Sequence, residues 1–329
     1  MNYEVFAAAY EAERKIIEAR IKKLFKKKTL TTLYDPAAYV MESGGKRLRP
    51  ALVLFSAMAV GGDKKHAYNP AIAVEMLHNF TLVHDDIMDN SALRRGRATL
   101  HTMHDVNTAI LVGDVLLAAS YEVLLDSIDH TIAKNTVSAF NTGLIEVCEG
   151  QSLDKEFERR NNVSIPEYYT MISKKTAALL QTCCKVGALV GGGSPAEVKA
   201  LASYGTNIGI AFQLQDDLLD LMGDELSLGK RIGGDIIEGK KTFLILKALE
   251  KAKGKDLKIL KEFIKNKGAK EEDIPLFREM FEKLGVISDT EKEVKKFTTK
   301  GLRSLKPLRT KDTIDFFTCL ANSLLKRVK

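Results

Sequence analysis

The sequence is short of proline, cysteine and long apolar runs, and it has no tryptophan. Its 7 prolines in 329 residues are less than half the average share of about 5%, and none lies between Pro70 and Pro166 or between Pro195 and Pro275. Proline removes an amide donor and clashes with the preceding turn, so its scarcity favours long, uninterrupted helices. Cys148, Cys183, Cys184 and Cys319 are neither spaced like a zinc site nor dense enough for a disulfide scaffold. That leaves buried thiols in a reducing compartment and a cytoplasmic protein. No window reaches the roughly 18 apolar residues of a membrane span, and the first twenty residues mix charge into their apolar positions where a signal peptide would carry an apolar block. The expectation is a soluble protein with no integral membrane segment. No linker rich in Pro, Gly or Ser divides the chain, which predicts one domain over residues 1–329.

What is present is a globular composition, 45% apolar and 28% charged. Apolar residues recur at three and four, as in Met76, Phe80, Val83 and Ile87, and in Leu116, Ser120, Val123 and Leu124. The stretch ALVLFSAMAV at 51–60 is apolar on every side, which predicts a fully buried helix. Each proline sits beside a turn or start signal, and Ser194-Pro195 restarts a helix that glycines 191–193 end. No strand alternation is evident. The expected fold class is all-α, a single large helical bundle of about ten or more helices at typical helix lengths.

Fifty Lys plus Arg against 43 Asp plus Glu leave a net charge of +7, the kind of excess that polyanion binders carry. Its distribution argues against nucleic acid. The lysines gather at 22–28 (KKLFKKK) and across 251–270, alternating with apolar residues such as Leu257, Leu260, Phe263 and Ile264. That reads as solvated faces of amphipathic helices.

Two stretches fit neither core nor surface. LVHDDIMDN carries Asp85, Asp86 and Asp89, and LQDDLLDL carries Asp216, Asp217 and Asp220. Helix residues four apart share a face at about 5–6 Å, so Asp85 projects with Asp89 and Asp216 with Asp220. The first face also carries His78 and Thr81, the second Gly209, Phe212 and Gln213. Carboxylates this deep in apolar sequence are costly to ionise without compensation. Hard oxygen ligands at this spacing suit magnesium, which takes one or two carboxylates per ion and fills its shell with water and substrate phosphate. The pattern points to a diphosphate. Basic clusters supply the opposite charge: GGKRLRP with Gly45, Lys46 and Arg49, then Arg94-Arg95-Gly96, Lys174-Lys175-Thr176, and GKRIGGDIIEGKKT with Lys230 and Lys240. Arginine forks and lysine point charges bind the phosphate oxygens that a metal leaves free.

These motifs, with GQSLD at 150–154, occur in the order found in the trans-isoprenyl diphosphate synthases, the polyprenyl synthetase family, and from about residue 40 to about 245 the chain resembles that family. The resemblance implies an all-helical bundle in which the two aspartate motifs face each other across a central cavity and hold three Mg2+ ions on an allylic diphosphate (dimethylallyl, geranyl or farnesyl). Carried over, Asp85 and Asp89 ligate two ions and Asp216 the third, supported by Asp86, Asp217 and Asp220. Arg94, Lys175 and Lys230 grip the allylic diphosphate, Gly45, Lys46, Arg49, His78 and Arg95 the isopentenyl diphosphate, and Lys240 the diphosphate end as a loop near 223–241 closes. Thr176, Gln213 and the Lys175 carbonyl face the developing cation. A homodimer is implied as well.

An aromatic five residues before Asp85 with a small residue four before, here Phe80 and Thr81, resembles the geranylgeranyl (twenty-carbon) type; two aromatics would resemble the farnesyl type. On a helix Thr81 lies on the Asp85 face, whereas Phe80 is about 140° away and can line a pocket only from its flank. A terpene cyclase or a head-to-head condensing enzyme would not need GGKRLRP and Arg95. A non-catalytic subunit of a heteromeric synthase would have lost motif residues that are all present here.

Overall fold

The computed structural model describes residues 3–223, 232–308 and 311–325. In chain order α1 is Tyr3–Ile21, α2 Thr31–Met41, α3 Leu48–Ala59, α4 Tyr68–Met88, α5 Leu100–Met103, α6 Val106–Leu125, α7 His130–Arg159, α8 Ile165–Ile172, α9 Ala178–Val190 and α10 Pro195–Met222. Further helices follow at Gly234–Ile237, Phe243–Lys251, Gly254–Asn266, Ile274–Lys283, Val286–Ser304 and Lys311–Leu325. The expected all-α class holds. The strands among the described residues are Leu93–Arg94 and Arg97–Ala98, an antiparallel pair too short to leave an alternating pattern in the sequence.

Local chemistry explains several boundaries. Ser164 and Glu167 form a reciprocal capping box ahead of Pro166, and Ser194 with Glu197 repeats it ahead of α10, Ser194 Oγ donating to Glu197 Oε2 at 2.7 Å. Pro36 departs from the expectation of a start signal and lies inside α2, because the helix is already begun by Leu33 and Tyr34 donating to the Leu30 carbonyl.

The described chain divides into two compact units. The first comprises Met1–Leu144, Thr182–Ala202 and Leu305–Cys319. At its centre lies α3, buried on every side from Pro50 to Ala57, as its unbroken apolar run demands. Met76, Phe80 and Val83 of α4 and Leu116, Ser120 and Leu124 of α6 are buried at their expected three- and four-residue spacing, and α4 packs along α6. The second unit comprises Ile145–Gln181, Ser203–Ser304 and Leu320–Lys329. One of its apolar clusters joins Leu218, Ile236, Ile245 and Phe277, another Tyr168, Met171, Leu214 and Phe243. The Gly254–Asn266 helix buries Leu260 and Phe263 and turns its lysines outward, as expected.

Three expectations need correction. Residues 22–28 are not a helix face: α1 ends at Ile21 and the lysines sit on turns. Among the described residues α6 is long and apolar enough, by length and composition, to cross a membrane; its apolar residues are interrupted by Asp114 and Glu122, which hid it from a search for unbroken runs. Cys183 and Cys184 are buried, but Cys148 is exposed.

Candidate active site

In the first unit the acidic motif closes α4. Asp86 is buried and accepts from Arg94 Nε at 2.8 Å and Nη2 at 2.5 Å, both on Oδ1. Burial raises the Asp86 pKa while the Arg94 hydrogen bonds oppose the rise. Asp85 is half-buried and Asp89, just past the helix end, is exposed. The triplet is thus divided: its middle carboxylate is engaged by a guanidinium, and the outer two lie nearer water. Arg94 reaches Asp86 because the chain reverses through Arg95 and Gly96, both at positive φ (53° and 73°), in the two-residue turn that joins the strand pair.

That turn also brings Arg95 over the GGKRLRP loop, where its Nη1 donates to the Gly44 carbonyl and, at 3.3 Å, to Ser43 Oγ. A side chain at Gly45 would meet the Arg95 guanidinium at 2.9 Å. Lys46 is exposed and Arg49 half-buried, with the Lys46 carbonyl accepting from the Tyr10 hydroxyl. Between them Arg47, in the left-handed region at φ 50°, turns inward and pairs with Glu75 at 2.6 Å, both side chains almost wholly buried. His78 is buried and held neutral, its pKa well below the usual range through burial and then the fields of Arg49, Arg95, Arg94 and Arg47. The guanidinium groups of Arg49, Arg95, Arg94 and Arg47 all act on this neutral imidazole, Arg47 and Arg94 being themselves paired with Glu75 and Asp86, and guanidinium forks are groups that bind phosphate oxygens.

In the second unit Asp217 is buried and accepts from the Tyr168 hydroxyl at 2.6 Å and Gln213 Nε2 at 2.9 Å. Burial pushes its pKa up to about 6, against the pull of those two donors. Gln213 in turn accepts from Thr176 Oγ1 at 2.7 Å, so the amide orientation is fixed from both ends. Asp220 is buried and accepts from the Asp235 backbone amide at 2.9 Å. Asp216 is half-buried. Here two carboxylates of the triplet, Asp217 and Asp220, are bonded within the protein.

Residues 173–177 are a π-helical turn between α8 and α9, not the continuous α-helix that their sequence pattern suggests; such turns concentrate at functional sites. The wider turn carries Lys175 and Thr176 out of the α-helical register. A Cβ at Gly150 would lie 2.1 Å from the Lys175 amide nitrogen, so the backbone of the turn passes where only glycine leaves room. Lys175 Nζ pairs with Asp154. Lys240 pairs with Glu238 at 2.7 Å and Asp235 at 3.4 Å; burial opposes its charge, but these carboxylates raise its pKa. Asp154, Tyr168, Lys175, Gln213, Asp217 and Lys240 line a cleft of about 90 Å3. Lys230 lies outside the described residues.

Phe80 is buried and its ring meets His84 edge-on at 4.8 Å, while His84 lies against Gly113 of α6. Thr81 is half-buried, donating to the His78 carbonyl at 2.8 Å. Phe80 therefore sits on the α6 flank of α4, as the helical geometry requires.

Sequence reading overlooked Arg47, Glu75, Asp154 and Tyr168. Arg47 and Asp154 lay inside quoted motifs, whereas nothing local marks Glu75 or Tyr168, whose partners are 28 and 49 residues away. Among the described residues no three His, Cys, Asp or Glu side chains form a ready-made metal cluster. The oxygen donors of Asp85 and Asp89 in the first unit, and of Asp216 in the second, are each of the hard type that divalent ions take.

A family model described as polyprenyl synthetase matches residues 30–281. A geranylgeranyl diphosphate synthase of Saccharolobus solfataricus is 40% identical over 318 residues, 95% of this chain and 95% of that protein. A short chain isoprenyl diphosphate synthase of Methanothermobacter thermautotrophicus is 45% identical over 239 residues, 73% of this chain and 74% of its own. Among solved structures, a geranylgeranyl pyrophosphate synthetase from Pyrococcus horikoshii matches with a TM-score of 0.91 at 38% identity, covering 98% of each chain.

Proposed function

The chain belongs to the polyprenyl synthetase family, and from that premise we propose that it condenses isopentenyl diphosphate head-to-tail with allylic diphosphates to give geranylgeranyl diphosphate. It is a prenyltransferase, and the family ionises diphosphates with a divalent metal. Our reading makes that metal Mg2+, about three ions per active site, held by Asp85, Asp89 and Asp216. When bound, the metal supplies Lewis-acid stabilisation of the departing diphosphate. Asp86, Asp217 and Asp220, bonded to Arg94, Tyr168 with Gln213, and the Asp235 amide, brace the outer carboxylates. The buried middle carboxylate of each triplet, Asp86 held by Arg94 and Asp217 held by Tyr168 and Gln213, is the observation that carries this reading.

Arg94, Lys175, Lys230 and Lys240 take the allylic diphosphate, and Gly45, Lys46, Arg49, His78 and Arg95 take isopentenyl diphosphate. A neutral His78 donates one hydrogen bond without adding a charge beside these arginines. Thr176 and Gln213, already oriented by their mutual bond, present fixed dipoles to the allylic cation, and fixed dipoles need no reorganisation as charge develops. Phe80 and Thr81 limit the tail from the α4 side. Residues 1–329 act as one synthase domain in the cytoplasm. The chain works as a homodimer, a reading supported by Val106, Ile110, Leu111 and Leu125, which leave a row of α6 apolar side chains 40–58% exposed.

The direct test supplies isopentenyl diphosphate with dimethylallyl, geranyl or farnesyl diphosphate and Mg2+. A twenty-carbon diphosphate is expected, lost on chelation and cut by at least about a hundredfold in Asp85→Asn or Asp216→Asn. Failure of every allylic primer would overturn the reading, and a fifteen-carbon end product would overturn the assigned length.

A further inference from the structure

We propose that the lysine-rich turn following α1 docks the enzyme on an anionic lipid membrane. Lys22, Lys23, Lys26, Lys27 and Lys28 are all exposed, and no Asp or Glu occurs between Glu18 and Asp35. Among the described residues none of the five forms an ion pair with a carboxylate, in contrast to Lys251, Lys283 and Lys296, which pair with Asp289, Asp256 and Glu293. The positive charge of this turn is therefore not cancelled locally.

The turn is also built. Lys28 N donates to the Phe25 carbonyl at 3.0 Å, which sets Lys26 and Lys27 at the corner. The rings of Phe25 and Tyr34 lie 5.6 Å apart, with Lys28 Nζ 5.6 Å above Tyr34, so the base of the turn is anchored to α2. Leu30 is 56% exposed and Leu24 half-buried, placing apolar groups among the ammonium groups.

Compact charges on flexible stems suit a diffuse negative surface, and interleaved apolar side chains suit the acyl boundary beneath it. A nucleic acid would satisfy the charge but not Leu24 and Leu30, so the combination favours lipid. Docking does not rest on the functional reading above; only its benefit does, since a twenty-carbon diphosphate is an amphiphile whose tail prefers a bilayer.

The test is sedimentation of the full chain with phosphatidylcholine vesicles with and without phosphatidylglycerol. Binding is expected to the anionic vesicles alone and to fall as salt rises. Lys22→Gln, Lys26→Gln and Lys27→Gln together spare the Lys28 stack and should weaken it about a hundredfold, at about fivefold per lysine; Leu30→Ser should weaken it further. Prenyl transfer from soluble substrates should be unchanged in both, so loss of docking and loss of catalysis are read separately. Equal binding to neutral vesicles, no loss in the triple variant, or binding to polyuridylate without binding to vesicles would overturn the proposal.

Discussion

Replacing Glu75 by glutamine should leave Arg47 as a buried cation without its close ion-pair partner. The guanidinium and carboxylate side chains are 2% and 3% exposed and 2.6 Å apart, and removing one partner of such a pair costs about 3–5 kcal/mol. Two contacts remain to Arg47, the Met41 carbonyl at 2.7 Å and Glu18 at 3.9 Å, so the lower end, about 3 kcal/mol, is expected. With an unfolding entropy of about 2.1 cal/mol/K per residue, 329 residues give ~0.7 kcal/mol/K, and 3–5 kcal/mol becomes a fall of about 4–7 °C in Tm. Arg47→Met with Glu75→Leu removes both charges at similar volume and should recover most of the loss, because the desolvation cost of each ion disappears with it. Thermal and urea unfolding of the two variants decide the matter. A loss below about 1 kcal/mol in Glu75→Gln, or a double variant no better than the single, would refute the claim that an unpaired buried charge sets the cost.

The remaining predictions address other parts of the site. His78, with its pKa held low when folded and near 6.5 when unfolded, binds fewer protons in the folded state, so its contribution is intact above pH 6.5 and is lost as pH falls below it, by up to ~1.4 kcal/mol per pH unit. His78→Gln should flatten the wild-type stability slope between pH 6.5 and 5 by one proton, read from urea unfolding at each pH. Gly150→Ala drives a methyl onto the Lys175 amide nitrogen and should cost about 1–3 kcal/mol or more; kcat should fall with it, because the π turn that positions Lys175 and Thr176 must shift. Phe80→Ala removes the buried ring on the α6 flank and should lengthen the products beyond twenty carbons by chromatography; an unchanged distribution would reduce Phe80 to core packing.

Which parts of the molecule were legible in advance follows the range of the interactions that decide them. Scarce proline, three-and-four periodicity and prolines beside start signals act within a turn or two, so α3, α4 and the start of α10 could be read directly. The hairpin at 93–98 could not, because two residues per strand carry no period, nor could the π turn at 173–177, whose sequence reads as ordinary helix until Gly150 of another helix is seen beneath it. The acidic and basic motifs were visible as residue types at fixed spacing.

From the sequence alone came the helical class, the two aspartate triplets, the basic clusters and the family resemblance, all of which are encoded in neighbours along the chain. Only the tertiary structure decided which members of each triplet are buried, that Arg47 is a buried partner of Glu75 while Lys46 beside it is exposed, and that the charge of 22–28 is left without a carboxylate. Those outcomes depend on groups 28 or 49 residues apart or on the absence of any partner nearby. Such pairings are set by burial and electrostatics after the helices have packed, and no local pattern records them.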